Sequence, residues 1–304
     1  MSQDRIRAVY RAYEWPTWLV IIAVYGGWFL LTFHASSMSW WQLMPLGAIL
    51  ICWHMHIQHE ILHGHPTKWT FVNSLLGWPP LSLWIPYSIY RESHIRHHAA
   101  DQLTSPGQDP ESFYVDASEW CRYPRWKKRL YIFNQSLLGR FLVGPFLAMG
   151  GLLTQEGRML LQGDFRHLPA WGFHGALVAI IAWYLENVCQ LPFWQYILTF
   201  ALPGTSLALL RSFLEHRPAA EPGHRTAIVE GGFFTRFLFL NNNLHVVHHD
   251  HPGLPWYRIP AFYRANREAI LMHNGGYFYR SYSEVFRRHF WKAKDIPKYP
   301  FARI

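Results

Sequence analysis

Hydrophobic positions in this chain fall into long blocks rather than an alternating or short-period pattern. Residues 18–33 (WLVIIAVYGGWFLLTF) carry no charge, and Trp15 and Trp18 sit at their leading edge. Such a block predicts a membrane-spanning helix with an interfacial aromatic belt. A second span is predicted over 41–62, apolar in its first half (LMPLGAILICW) and filling with histidine in its second. Residues 171–189 and 193–212 predict a third and a fourth span, joined by a short turn at Gln190, Leu191 and Pro192. Two shorter apolar stretches, 71–90 and 137–153, are interrupted by Pro and Gly and read as interfacial or re-entrant helices. No internal repeat is present. The pattern predicts one all-α integral membrane domain over 1–304, with four transmembrane helices, interfacial helices, and a cap built from 63–170 and 213–304.

Composition agrees with that pattern. Of 304 residues 50% are hydrophobic and only 15% charged, against about a quarter charged in ordinary soluble domains. The 16 Trp, 16 Tyr and 21 Phe exclude a disordered chain. Cys52, Cys121 and Cys189 are isolated and odd in number. They therefore give no disulfide framework, no cysteine zinc ribbon and no iron–sulfur site. A formal charge of +9 would suit nucleic acid, but beside these apolar runs it points to a membrane surface. The basic run Arg287, Arg288, Lys292, Lys294 and Lys298 then suits anionic lipid head groups or an acidic electron donor. Loops 34–40 and 190–192 contain no Lys or Arg, whereas the N-terminal tail holds Arg5, Arg7 and Arg11. The positive-inside rule places both termini and the cap in the cytoplasm.

Histidine changes the picture from a membrane protein to a candidate metal protein. The chain has 19, and nine of them fall in patterns. His59 and His63 stand at i and i+4 at the end of the second predicted span. His94, His97 and His98 form an HxxHH triplet, as do His245, His248 and His249, and His216 follows directly on the fourth span. Residues three and four apart share a helix face, so each group can direct its rings at one ion. A lone histidine is usually an ordinary core or surface residue, but this set reads as metal ligands. His54 and His56 lie within a span, where an ionisable group is costly and usually functional. Glu60, Glu92, Asp101, Asp109, Glu215 and Asp250 stand near the boxes as possible acceptors for the rings' second N–H.

The segment His59-Glu60-Ile61-Leu62-His63 also fits the HExxH pattern of zinc metallopeptidases, with Glu60 as general base. A catalytic zinc needs three protein ligands and an open position, however. Nine imidazoles exceed that need and suit two ions. A non-enzymatic metal-handling membrane protein is a further alternative. Zinc has no redox chemistry, while imidazole also suits iron, and inert acyl chains beside a membrane require a strong oxidant. The residues alone thus predict an oxygen-dependent di-iron oxidase of a lipid-like substrate.

The three boxes, HxxxH at 59–63 and HxxHH at 94–98 and 245–249, resemble those of the membrane fatty acid desaturase family, which includes hydroxylases and ketolases. Gly64 after the first box, QDPES at 108–112 and HHDHPGLPW at 248–256 add to the resemblance, which extends over nearly the whole chain. It implies a fatty-acyl or lipid desaturase with two irons and dioxygen as co-substrate; hydroxylation or ketolation of a lipid or carotenoid is the alternative. It also implies His59, His63, His94, His97, His98, His245, His248 and His249 as ligands, with His216 matching the extra histidine after the fourth span. Members of known structure carry Asn four residues before that histidine. Ser212 stands here instead, and Asn241, Asn242 and Asn243 are the candidates to replace it. With no cysteine cluster, no intact cytochrome b5 motif around His273-Asn-Gly-Gly, and no nucleotide fingerprint, electrons are expected from a separate ferredoxin, rubredoxin or cytochrome b5.

Overall fold

The computed structural model describes residues 14–301, and helices make up nearly all of its regular structure. The tail bearing Arg5, Arg7 and Arg11 lies outside the described residues. The chain gathers into two compact units. One runs to Arg91 and adds Pro145–Ala208 and Gly253–Tyr257; the other holds Glu92–Gly144, Leu209–Pro252 and the chain from Arg258.

In the first unit, the helix Trp15–Phe33 opens with Pro16 in its first turn, where a missing N–H costs nothing. The helix Trp40–Leu62 starts at Ser39, whose N–H and hydroxyl both donate to Gln42 Oε1 (3.2 and 2.6 Å). It ends because Gly64 adopts φ 97°, a left-handed conformation open to glycine and not to a helix-continuing residue. That stop leaves the first histidine box on the final turn. The helices pack by contact between small residues, as membrane helices do. A Cβ on Gly47 would stand 2.6 Å from Thr199 O, and one on Gly204 would stand 2.4 Å from Ile51 Cβ. A five-residue π turn, Ile197–Ala201, precedes Pro203 in the helix Phe193–Glu215. Pro203 has no N–H for the helical ladder, and the Thr205 hydroxyl donates to Ala201 O nearby (2.8 Å). A buried polar relay crosses the unit: Trp28 Nε1 donates to Tyr196 Oη (2.9 Å), which donates to Leu81 O (2.6 Å). Leu19, Ile22, Phe29 and Leu30 instead turn outward, each more than half exposed. An apolar face of that extent is suited to lipid and not to water.

Among the described residues, four helices are long and apolar enough to cross a membrane: Trp15–Phe33, Leu137–Leu161, Leu168–Asn187 and Phe193–Glu215. This set differs from the expected one in two places. The stretch expected as a short interfacial segment at 137–153 is part of one 25-residue helix, which continues through Pro145. The helix Trp40–Leu62 has the length but not the apolarity, because His54, His56, Gln58, His59 and Glu60 fill its second half. The other interfacial stretch, 71–90, contains the eight-residue helix Thr70–Gly77, with Phe71 and Leu75 exposed.

In the second unit, Leu137, Phe213, Leu214, Ala227, Val229, Tyr277, Tyr279 and Val285 form an apolar core. Among the described residues the strands are two short ones, Ile228–Val229 and Phe278–Tyr279, paired in parallel. They fix the chain on either side of the helices His245–Asp250 and Ile259–His273. The fold is all-α, as the hydrophobic pattern predicted.

Candidate metal centre

Two local devices aim the HxxHH triplets. His94, His97 and His98 occupy the last turn of the helix Tyr87–His98. His245, His248 and His249 lie on the six-residue helix His245–Asp250, which follows a left-handed turn at Leu240 (φ 46°) and Asn241 (φ 56°). Asparagine tolerates that conformation; leucine does so at a cost, and such strain persists where surrounding structure enforces it. Leu240 is buried.

Seven of the nine predicted ligands come together within the second unit. His97, His216, His245 and His249 offer ring nitrogens that all lie within 4.8 Å of one another. His216 Nε2 is 3.2 Å from both His97 Nε2 and His245 Nε2. Beside this group, His98 Nε2 is 3.1 Å from His94 Nε2 and from His248 Nε2, and the His98 ring stacks on His249 with centroids 4.2 Å apart. The remaining two ligands, His59 and His63, belong to the first unit, their ring centroids 5.0 Å apart.

The outward nitrogens explain why the inward ones face each other. His97 donates from Nδ1 to Asp109 Oδ1 (2.7 Å), and His94 donates from Nδ1 to both oxygens of Glu111 (3.0 and 3.1 Å). His245 Nδ1 meets Asn242 Oδ1 at 2.9 Å and Glu215 Oε1 at 3.3 Å, and His216 Nδ1 meets Thr226 Oγ1 at 3.4 Å. A neutral ring whose Nδ1 carries the proton presents a lone pair at Nε2. Lone pairs converging at about 3 Å repel unless a cation lies among them. His249 Nε2 is likewise buried without a hydrogen-bond partner. The donor set therefore fits a metal ion with nitrogen distances near 2 Å, with the His94, His97, His216 and His245 rings held by outer partners.

Electrostatics favour the ligand form. Burial, then the charge of neighbouring rings, holds His216, His245 and His249 well below the ordinary imidazole value. His98 is pushed down to about 3 by burial and by His94 and His97. Neutral imidazole is the form that binds metal. His97 shifts upward: burial opposes this, but the Asp109 hydrogen bond and the Glu111 and Glu215 charges outweigh it. Burial raises Glu111, yet the His94 ring brings its carboxyl down to about 2. Positive charge, from a proton or an ion, is welcome there.

Of the six acids expected near the boxes, Asp109 and Glu215 are at the rings. Glu60 accepts from the Trp256 backbone N–H (3.1 Å) and is buried, while Glu92, Asp101 and Asp250 are exposed. Sequence reasoning missed Glu111 and Thr226, and named Asn242 only among the candidates to replace the Asn absent at Ser212; for Glu111 the one available signal was a second acid two residues after Asp109. Ser212 donates to Leu209 O (3.1 Å), and Asn243 donates to Val229 O (2.6 Å). Asn242 instead meets the His245 ring. His54 and His56 make backbone contacts, with Pro79 O (2.9 Å) and Cys52 O (2.6 Å).

Compared with known proteins, residues 35–281 match the family model described as fatty acid desaturase, a stretch that contains all nine histidines. None of the curated proteins compared matches the chain. The chain belongs to the fatty acid desaturase family.

Proposed function

We propose that this member of the desaturase family is an oxygen-dependent di-iron desaturase, placing a double bond in a fatty-acyl or lipid-like chain. The observation that carries the reading is the group His97, His216, His245 and His249. Its ring nitrogens converge, and three of its rings have their outer nitrogen held by Asp109, Thr226 or Asn242. We assign these four to one iron. His94, His98 and His248 form the start of a second set, to which we add His59 and His63, giving five and four ligands. Two irons held there would, with dioxygen and two electrons, supply the oxidant needed to take hydrogen from an unactivated chain. The protein's own part is to hold these rings oriented before substrate arrives, with His98, His216, His245 and His249 kept neutral, so that little reorganisation is needed at reaction. The absence of a cysteine cluster or nucleotide motif supports an external donor of ferredoxin, rubredoxin or cytochrome b5 type. Glu60, already bonded to Trp256 N–H, is poorly placed as the base of a peptidase.

Two contacts support a topology. Glu14 and His65, which bracket the helices Trp15–Phe33 and Trp40–Leu62, share a hydrogen bond of 2.6 Å. Their ends must lie on one side, so if the first helix crosses, the second returns, despite its histidines. His97 and His216 nitrogens are 3.2 Å apart, so an even number of crossings separates them. The hairpin of Leu168–Asn187 and Phe193–Glu215 provides two, and Leu137–Leu161 then lies along the membrane. With the basic residues inside, the boxes and both termini are cytoplasmic.

The test is lipid analysis of a host expressing the chain beside a His248→Ala variant. A new double bond made only by the unaltered chain is expected. Hydroxylated or keto products would replace desaturation with the alternative chemistry, and no lipid product would contradict the reading.

A further inference from the structure

The family match ends at residue 281, yet the segment beyond it reaches back to the metal cluster. Residues 292–299 have almost no regular structure, but Lys294, Asp295, Pro297 and Tyr299 each bond to chain outside the segment. Lys294 N–H donates to Gln135 O (2.7 Å). Its Nζ donates to His216 O (2.8 Å) and lies 3.4 Å from Tyr277 Oη. Asp295 accepts from Tyr114 Oη (2.6 Å). Val115 N–H donates to Pro297 O, and Tyr299 N–H returns to Val115 O, both at 2.8 Å.

The two ends of this strap are informative. His216 caps the helix that ends at Glu215, where backbone carbonyls have no partner within the helix. Lys294 satisfies the carbonyl of His216, and Tyr277 Oη donates to that of Leu214 (2.7 Å). At the other end, Tyr114 and Val115 stand three and four residues after Glu111, which with Asp109 orients His94 and His97. The Lys294 side chain is 6% exposed, and its buried ammonium is shared between His216 O and the Asp295 carboxylate, 3.4 Å away.

We propose that the C-terminal strap 294–299 is a positioning element of the metal centre, with Lys294 fixing the backbone of the ligand His216. The inference rests on the ligand assignment above. A positive charge beside a cation site should by Coulomb repulsion weaken metal binding, so its removal alone would tighten it. Positioning predicts the opposite sign.

The experiment is a chelator competition with Co²⁺ on the full-length protein, metal-free in detergent. Lys294→Met is expected to weaken Co²⁺ affinity roughly 10–100-fold, the range for outer residues that hold a ligand in place, and to alter the cobalt visible spectrum. Lys292→Met, the same charge change at an exposed position, should leave both unchanged. Lys294→Arg should recover part of the affinity. If Lys294→Met does not fold, Tyr114→Phe removes only the Asp295 tie and should weaken binding by roughly tenfold. Affinity equal to or tighter than that of the unaltered chain, in Lys294→Met or in Tyr114→Phe, overturns the proposal while His216→Ala still loses metal. If His216→Ala also binds as before, the ligand assignment fails, and the proposal fails with it.

Discussion

Asp109 carries more than one task at the residue scale. Besides the His97 ring it accepts the N–H of Thr104 (2.7 Å) and of Glu111 (2.9 Å). Asn at this position would turn an N–H toward one of those donors. Asp109→Asn and Glu111→Gln are each expected to lower metal affinity or product formation roughly 10–100-fold. Chelator titration and product yield, read beside a melting curve, check this; wild-type values in both variants would mean the acids do not orient the ligands. His97→Ala and His248→Ala should abolish product. His167→Ala and His289→Ala should keep most of it, because those rings bond Glu156 (2.9 Å) and Tyr279 (3.2 Å) instead. Glu60→Gln retains an acceptor for Trp256 N–H and is expected to keep most activity; loss of activity with metal still bound would revive a general-base role. The boxes themselves were legible because a ligand pair at i and i+3 or i+4 is a local matter. Glu111 was not, since it acts on a ring 17 residues away and only the folded loop brings them together. Lys294, 78 residues from His216, was visible only as one member of a basic run.

Helix packing is the decisive matter at the scale of elements. Gly204 admits Ile51 so closely that a Cβ would meet it at 2.4 Å. Gly204→Ala should therefore destabilise by about 1–3 kcal/mol, the usual range for overpacking a filled interior. Thermal unfolding in detergent reads this directly, and an unchanged midpoint would contradict the packing. Helix positions were legible in the hydropathy pattern, and the turns after Phe33 and Asn187 fall where uncharged loops were expected. The full extent of Leu137–Leu161 was not. Pro145 suggested a break, but a proline can sit within a helix when neighbouring groups compensate for the lost bond. Conversely, Trp40–Leu62 has the length of a span but not the apolarity, because His54, His56, Gln58, His59 and Glu60 fill its last turns.

For the whole molecule, the proposed topology places the histidine boxes on the cytoplasmic side of the membrane. The exposed thiol of Cys121 reports the side on which 63–170 lies. Cys189 is buried, so it is no probe of the opposite side; the exposed neighbour Val188, changed to Cys, is the better one. An impermeant maleimide on intact cells should label Val188→Cys and spare Cys121, and labelling of Cys121 would reverse the topology. The central claim, however, is that one chain brings together histidines for two irons. Elemental analysis of carefully purified, active protein tests it most directly. The account predicts about two iron atoms per chain, because nine imidazoles give four or five to each ion. One tightly held zinc per chain with full activity would contradict it.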